Sequence, residues 1–246
     1  MRFLILSDIH ANLDALEAVL AHVDGRWDRA VVLGDLVGYG AQPNEVIARV
    51  LELEPIVVIR GNHDKAACGI DDGSQFNYVA RTAAAWTADQ LTPSYCQYLR
   101  ELPMGPTELD DRVEICHGSP FDEDHYIFDG SDARRGIDAA TRPLCLYGHT
   151  HLPAVFRQVD DAFDGAAPDG NATTVLPLQR GARYLVNCGS VGQPRDGDPR
   201  AGYGVLDDEA RNLTLYRVAY PVDAAQARII AAGLPQSLAN RLALGR

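Results

Sequence analysis

The chain has 246 residues, 46% of them hydrophobic and 23% charged, and its 34 acidic against 22 basic residues leave a net charge of −12. That balance excludes a disordered or collagen-like chain and suits one domain, 1–246, with a sizeable core. The acidic surplus, without any run of Lys and Arg, speaks against extended contact with a nucleic-acid backbone. No apolar run near the start matches a signal-peptide core or a membrane span, so a cytoplasmic protein with no membrane partner is expected.

Residues 2–7 are a short β-rich apolar run, and Asn12 stands as a cap before Leu13, Leu16, Leu20 and Val23, which share one helix face. The same order returns with a strand at 30–33, a glycine-containing loop and a helix after Pro43, followed by a third strand at 56–59. Alternation of this kind predicts βαβ units and a sheet covered by helices. Residues 66–102 read as Ala-rich helices with Phe76, Trp86, Leu91, Tyr95, Tyr98 and Leu99 available to pack, broken by the acidic loop 71–73, and are expected to form a helical side or partial lid.

The second half turns to strands at 113–116, 144–147, 154–159, 184–187, 203–206 and 213–217, which predicts a second sheet. Between them, segment 160–181 is rich in Ala, Asp and Gly and is expected to be an exposed hairpin or mobile loop. Helices are expected at 222–232 and 238–244. The five cysteines (Cys68, Cys96, Cys116, Cys145, Cys188) are odd in number and lack a C-x-x-C pair, so they read as small buried hydrophobes rather than disulfide or zinc ligands. No heptad or interface stripe indicates an oligomeric state.

Five clusters of chemically active residues lie just after predicted strands: Asp8 and His10 in S-D-I-H, Asp35 in L-G-D, Asn62, His63 and Asp64 in G-N-H-D, His117 in C-H-G-S, and His149 with His151 in G-H-T-H. Loops at strand ends gather distant residues into one crevice. Five of the seven histidines belong to this set, leaving only His22 and His125 outside it. Imidazole nitrogens mixed with carboxylate and amide oxygens suit Mn, Fe or Zn, with Ni or Co also acceptable, better than Ca or Mg alone. Residues i and i+2 on an extended strand end point the same way, so Asp8 with His10 and His149 with His151 can each converge.

These ordered blocks, D-x-H, G-D, G-N-H-D, H and G-H-x-H, resemble the calcineurin-like metallophosphoesterase superfamily over nearly the whole chain. Phe76-Asn77, Trp86-Thr87, H-G-S-P from His117 and G-S-V-G-Q-P-R from Gly189 are similar to a bacterial branch labelled diadenosine-tetraphosphatase-like. The resemblance implies an α/β fold, a four-layer α/β/β/α sandwich, with two divalent ions at the strand ends. It places Asp8, His10 and His151 on one ion, Asn62, His117 and His149 on the other, and Asp35 between them. Two such ions, roughly 3.5 to 4 Å apart, deprotonate a shared water and clamp a phosphate. His63 is implied as the residue that protonates the leaving oxygen or stabilises its charge.

One departure narrows the activity. Ser/Thr protein phosphatases of this superfamily carry a second aspartate in D-x-V-D-R-G that orients the catalytic histidine, whereas this chain has G-D-L-V-G-Y-G, with Gly38 and Tyr39 in place of that Asp-Arg pair. Asp64 is the substitute candidate to orient His63, its other role being a helix cap. Arg195 is a candidate phosphate clamp; Asn12 is a candidate substrate contact or helix cap; Tyr39, with His125 and Tyr126, is a candidate for the entrance. Trp27 and Trp86 read as packing residues. The expectation is a dinuclear phosphoesterase acting on a small phosphodiester, nucleotide or phosphomonoester. A protein Ser/Thr phosphatase-like activity, a non-catalytic binding scaffold and a polymer nuclease are the alternatives.

Overall fold

In a computed structural model that describes residues 1–246, β1 (Arg2–Leu6) leads through α1 (Leu13–Val23), β2 (Arg29–Val32) and α2 (Pro43–Glu52) to β3 (Val57–Val58). Asn12 Oδ1 accepts from Ala15 N at 3.1 Å and caps α1, and Pro43 opens α2 where its missing N–H has no partner to lose. Helices α3 (Asn62–Cys68), α4 (Tyr78–Gln90) and α5 (Pro93–Glu101) follow, the last two capped by Asn77 and Thr92. Next come β4 (Thr107–Glu108), β5 (Val113–Ile115), α6 (Gly130–Ala139), β6 (Leu144–Tyr147), β7 (Ala154–Val159), β8 (Ala162–Ala166), β9 (Thr173–Pro177), β10 (Arg183–Asn187), β11 (Ala201–Asp207) and β12 (Asn212–Val218). The helices α7 (Val222–Ala231) and α8 (Gln236–Leu242) complete the order.

The strands form two six-stranded mixed sheets, ordered β3-β2-β1-β11-β12-β9 and β4-β5-β6-β10-β7-β8. A strand covered on both faces reads as a continuous apolar run, and β1 is one from Phe3 to Leu6. Phe3 and Ile5 join the core shared with Ile115, Leu146 and Val186 of the second sheet. Leu4 and Leu6 belong to the core under the helices, with Leu16 and Val19 of α1 and Ile47 of α2. On the far side, Ala133 and Ile137 of α6 pack against Cys145, Tyr147 and Leu185. The layers therefore run helix, sheet, sheet, helix. No helix is long and apolar enough to cross a membrane.

The structure corrects two sequence expectations and adds a helix. The later strands do not all build the second sheet, because β9, β11 and β12 return to the first. Segment 160–181 is exposed as expected and opens as the second strand of a hairpin, β8 on β7, but it does not fold on itself: after a loop at 167–172, β9 crosses to pair with β12, so its two strands lie at the edges of different sheets. Edge strands keep one face in water, which accounts for their low hydrophobicity. Helix α6 was not foreseen because it buries only Ala133, Gly136 and Ile137, too faint an apolar stripe to register. Four of the cysteines are buried, Cys96 is half-buried and all five are free thiols.

Candidate metal centre

The active loops leave the carboxyl ends of parallel strands: β1 beside β2, β2 beside β3 and β5 beside β6. Each turns sharply. Asp8, His10, Asp35, His149 and His151 all have φ between 49° and 66°, a left-handed conformation that costs a non-glycine residue on the order of 1–3 kcal/mol and clusters at functional sites. Hydrogen bonds between loops hold it, from Asp8 N to Gly34 O (3.1 Å), His10 N to Asp35 O (2.9 Å) and Gly148 N to His117 O (2.8 Å). Two glycines permit the close approach. A Cβ at Gly61 would fall 2.1 Å from Asp35 Oδ1, and one at Gly148 would fall 2.1 Å from Ser7 Oγ.

All seven predicted ligand positions meet in one place. Asp8, His10, Asp35 and His151 form one buried group, and Asp35, His117 and His149 form a second. Asp35 Oδ2 joins them, lying 3.4 Å from His10 Nε2 and 3.5 Å from His117 Nε2. His151 Nε2 is 3.3 Å from Asp8 Oδ1. Asn62, at the start of α3, brings its Oδ1 to 3.3 Å from His117 Nε2.

The outward nitrogens of the four histidines all meet backbone carbonyls: His10 Nδ1 meets Val37 O, His117 Nδ1 meets Leu33 O, His149 Nε2 meets Asp124 O and His151 Nδ1 meets Gln193 O. A carbonyl only accepts, so each outward nitrogen carries the proton and each inward nitrogen presents a lone pair. Between His10 and His151, both held neutral by burial, two lone pairs face each other at 3.0 Å, an arrangement that is repulsive without a cation between the nitrogens; His117 Nε2 lies 3.2 Å from His149 Nδ1, to which it donates a second proton when no metal is bound. The donor set of neutral imidazoles, two carboxylates and an amide thus fits divalent metal. Without a metal, charge is distributed accordingly. Burial opposes protonation of His117, but Asp35 and Asp8 outweigh it and push its pKa up to about 10. Burial would raise Asp35, yet His117, His63 and His10 hold it well below the usual carboxylate range.

His63 sits beside this centre, 4% exposed. Its ring lies between Tyr39, at 4.2 Å between centroids, and Phe76, stacked at 4.5 Å. Its Nδ1 is buried and has no partner. Asp64 does not orient it: one carboxylate oxygen accepts from Gly61 N (2.9 Å) and the other from Val37 N (3.2 Å), so this residue ties the helix cap to the Asp35 loop. Asn12 is likewise spent on the fold, capping α1 with Oδ1 and donating from Nδ2 to Gly192 O at 2.9 Å. It is not a free substrate contact.

Tyr39 and Arg195 do reach the centre, where Arg195 Nη2 donates to Tyr39 OH at 3.3 Å and to Gln193 Oε1 at 3.0 Å. Arg241 of α8 joins them, and the guanidinium carbons of both arginines lie 5.6 Å from the Tyr39 ring centroid. Neither arginine has an acidic side chain as partner. Burial and the charge of Arg195 lower the Arg241 pKa. Sequence reasoning missed Arg241 because it lies far beyond the last motif and arrives through tertiary packing alone.

It also missed a supporting ion network. Lys65 is 5% exposed, and its Nζ donates to Glu123 (2.9 Å) and Asp124 (2.6 Å), while Arg60 grips Glu123 with two bonds. This clamps the loop whose Asp124 carbonyl holds His149. Tyr126 of the same loop stacks on His149 at 3.7 Å, whereas His125 turns away to Asp132.

Known proteins share this architecture. A crystal structure of a metallophosphoesterase from Sphaerobacter thermophilus superposes with a TM-score of 0.88 at 43% identity, covering 100% of this chain and 99% of that one. A protein of Methanocaldococcus jannaschii is 33% identical over a 252-residue alignment that covers 98% of this chain and 97% of that protein. The phosphodiesterase YfcE of Escherichia coli K12 is 26% identical over 225 residues, covering 87% of this chain and 91% of its own length. The family model for the calcineurin-like phosphoesterase superfamily domain matches residues 1–211, and with the buried Asp/His centre at the strand ends the chain belongs to that superfamily.

Proposed function

We propose that the chain hydrolyses small phosphodiesters at two divalent cations, one held by Asp8, His10 and His151, the other by Asn62, His117 and His149, with Asp35 shared. Membership of the superfamily makes it a phosphoester hydrolase, and the Asp/His groups suit metal binding. The observation that carries the finer reading is the single Asp35 oxygen placed between His10 and His117, which gives two cation sites one common ligand. Bound cations of this kind supply Lewis acidity, lowering the pKa of water and neutralising phosphate charge.

The chain's own residues do the remainder. Arg195 and Arg241 form a half-buried cationic pair beside the centre, suited to phosphate oxygens; Arg241 Nε already donates to Arg246 O at 2.6 Å, which leaves its terminal nitrogens for a ligand. His63 faces the leaving group. YfcE, named a phosphodiesterase, supports the diester, and the nucleotide-sized phosphoesters remain within the same class. A protein-phosphatase mechanism is disfavoured by Gly38: a Cβ there would lie 2.6 Å from His63 Nδ1, so no side chain at that position can orient the ring. A pure scaffold would have no use for four histidines fixed by carbonyls.

The test is hydrolysis of bis-p-nitrophenyl phosphate by chelator-stripped protein with and without added Mn²⁺, beside p-nitrophenyl phosphate. Turnover is expected only with metal and faster on the diester. Faster monoester turnover would overturn the diesterase reading, and turnover by metal-free protein would overturn the metal centre. Arg241→Ala is expected to raise KM about tenfold with kcat little changed, since a charge-assisted hydrogen bond is worth about 1.5–3 kcal/mol. A fall in kcat at unchanged KM would contradict that role.

A further inference from the structure

We propose that a second, non-catalytic site for a nucleotide lies at the opposite pole of the sandwich. A cavity of about 520 Å³ opens there, within the range of small-molecule sites. Its walls come from the amino ends of β5, β6 and β10 and the carboxyl end of β11, through residues such as Val113, Leu144, Tyr184 and Leu206. The metal loops leave the other ends of β5 and β6, so Leu144 and His149 are separated by roughly 15 Å of extended chain.

Five arginines line this cavity in a protein whose net charge is −12. Two are partly neutralised, Arg112 by Asp208 and Arg142 by Glu108. Arg180, Arg183 and Arg211 have no acidic partner, and Arg183 donates only to the Ala140 carbonyl. Arg180 and Arg211 make no side-chain hydrogen bond, so the cavity offers guanidinium groups to an acceptor that the chain does not itself provide. Three unpaired planar cations match a ligand with several phosphate oxygens. The wall between them is apolar, with Tyr184 buried beside Leu144 and Leu206, which suits a base and sugar rather than a bare polyphosphate. A bounded cavity also favours a mononucleotide over a polymer.

Calorimetry on the manganese-loaded protein with α,β-methylene adenosine diphosphate, which resists hydrolysis, tests the site. Binding is expected to survive Arg241→Ala, which alters the catalytic cleft, and to weaken about tenfold or more in Arg211→Gln. Arg180→Ala, at an exposed position that makes no hydrogen bond, should weaken it in the same direction without endangering the fold. Both variants should hydrolyse bis-p-nitrophenyl phosphate at the parent rate. Binding unchanged in both, or lost in Arg241→Ala, would place the nucleotide elsewhere and overturn the proposal, as would no binding at millimolar concentration. Tripolyphosphate binding as tightly as the nucleotide would overturn recognition of the base and sugar.

Discussion

Asp35→Asn is expected to lose bound metal and turnover together. The substitution preserves shape, and the amide oxygen can still accept from His63 N, as Asp35 Oδ1 does at 2.9 Å. What changes is the atom at the junction of the two groups. Oδ2 now faces the inward nitrogens of both His10 and His117; an amide NH₂ in its place would donate to those nitrogens and occupy the lone pairs that a cation needs. Loss of even an outer partner of a metal ligand typically costs 10–100-fold in affinity, so loss of the shared ligand should cost at least about 100-fold. Metal content by elemental analysis, measured beside diester hydrolysis, checks it. Full occupancy with parental turnover would refute Asp35 as the common ligand. Low activity at full occupancy would confine Asp35 to positioning His63 and the substrate.

The gathering of these seven residues was legible in the sequence for a physical reason. Asp8, Asp35, Asn62, His117 and His149 each lie within a few residues of the end of a short strand, so local chain geometry places them together once parallel strands align. D-x-H and H-x-H spacing then adds His10 and His151 without further information. The layers were legible as well, because β1 from Phe3 to Leu6 and the whole of β6 are apolar and buried, as strands covered on both faces must be.

Other features depended on contacts between distant segments. Asp64 and Asn12 look like free polar side chains beside the motifs, yet their oxygens are consumed by Gly61, Val37 and Ala15 amides. No local pattern distinguishes such a structural acceptor from a catalytic one. Arg241 becomes a site residue only because α8 packs onto the first sheet's helical layer, where Leu238 and Leu242 enter the core. The destination of β9 was hidden similarly, since an exposed edge strand has the composition of a loop.

His63→Ala should separate leaving-group chemistry from metal binding. In place of the aspartate that orients the equivalent histidine in protein phosphatases, packing fixes this ring: Tyr39 on one side, Phe76 on the other and Gly38 against Nδ1. An orphaned buried acceptor is tolerated better than an orphaned buried N–H, which assigns the proton to Nε2, an atom with no partner in the protein. Burial pushes the pKa down to about 4, so in the free protein the ring is neutral and offers one N–H rather than a full positive charge. That group is suited to an oxygen on which charge develops as the ester bond breaks. The variant should therefore retain its metal and lose roughly 10²- to 10⁴-fold in kcat on diesters with alkyl leaving groups. With p-nitrophenol, whose anion needs little help to depart, the loss should be much smaller. An equal loss on both kinds of ester would remove His63 from leaving-group stabilisation, and loss of metal would make it part of the metal centre.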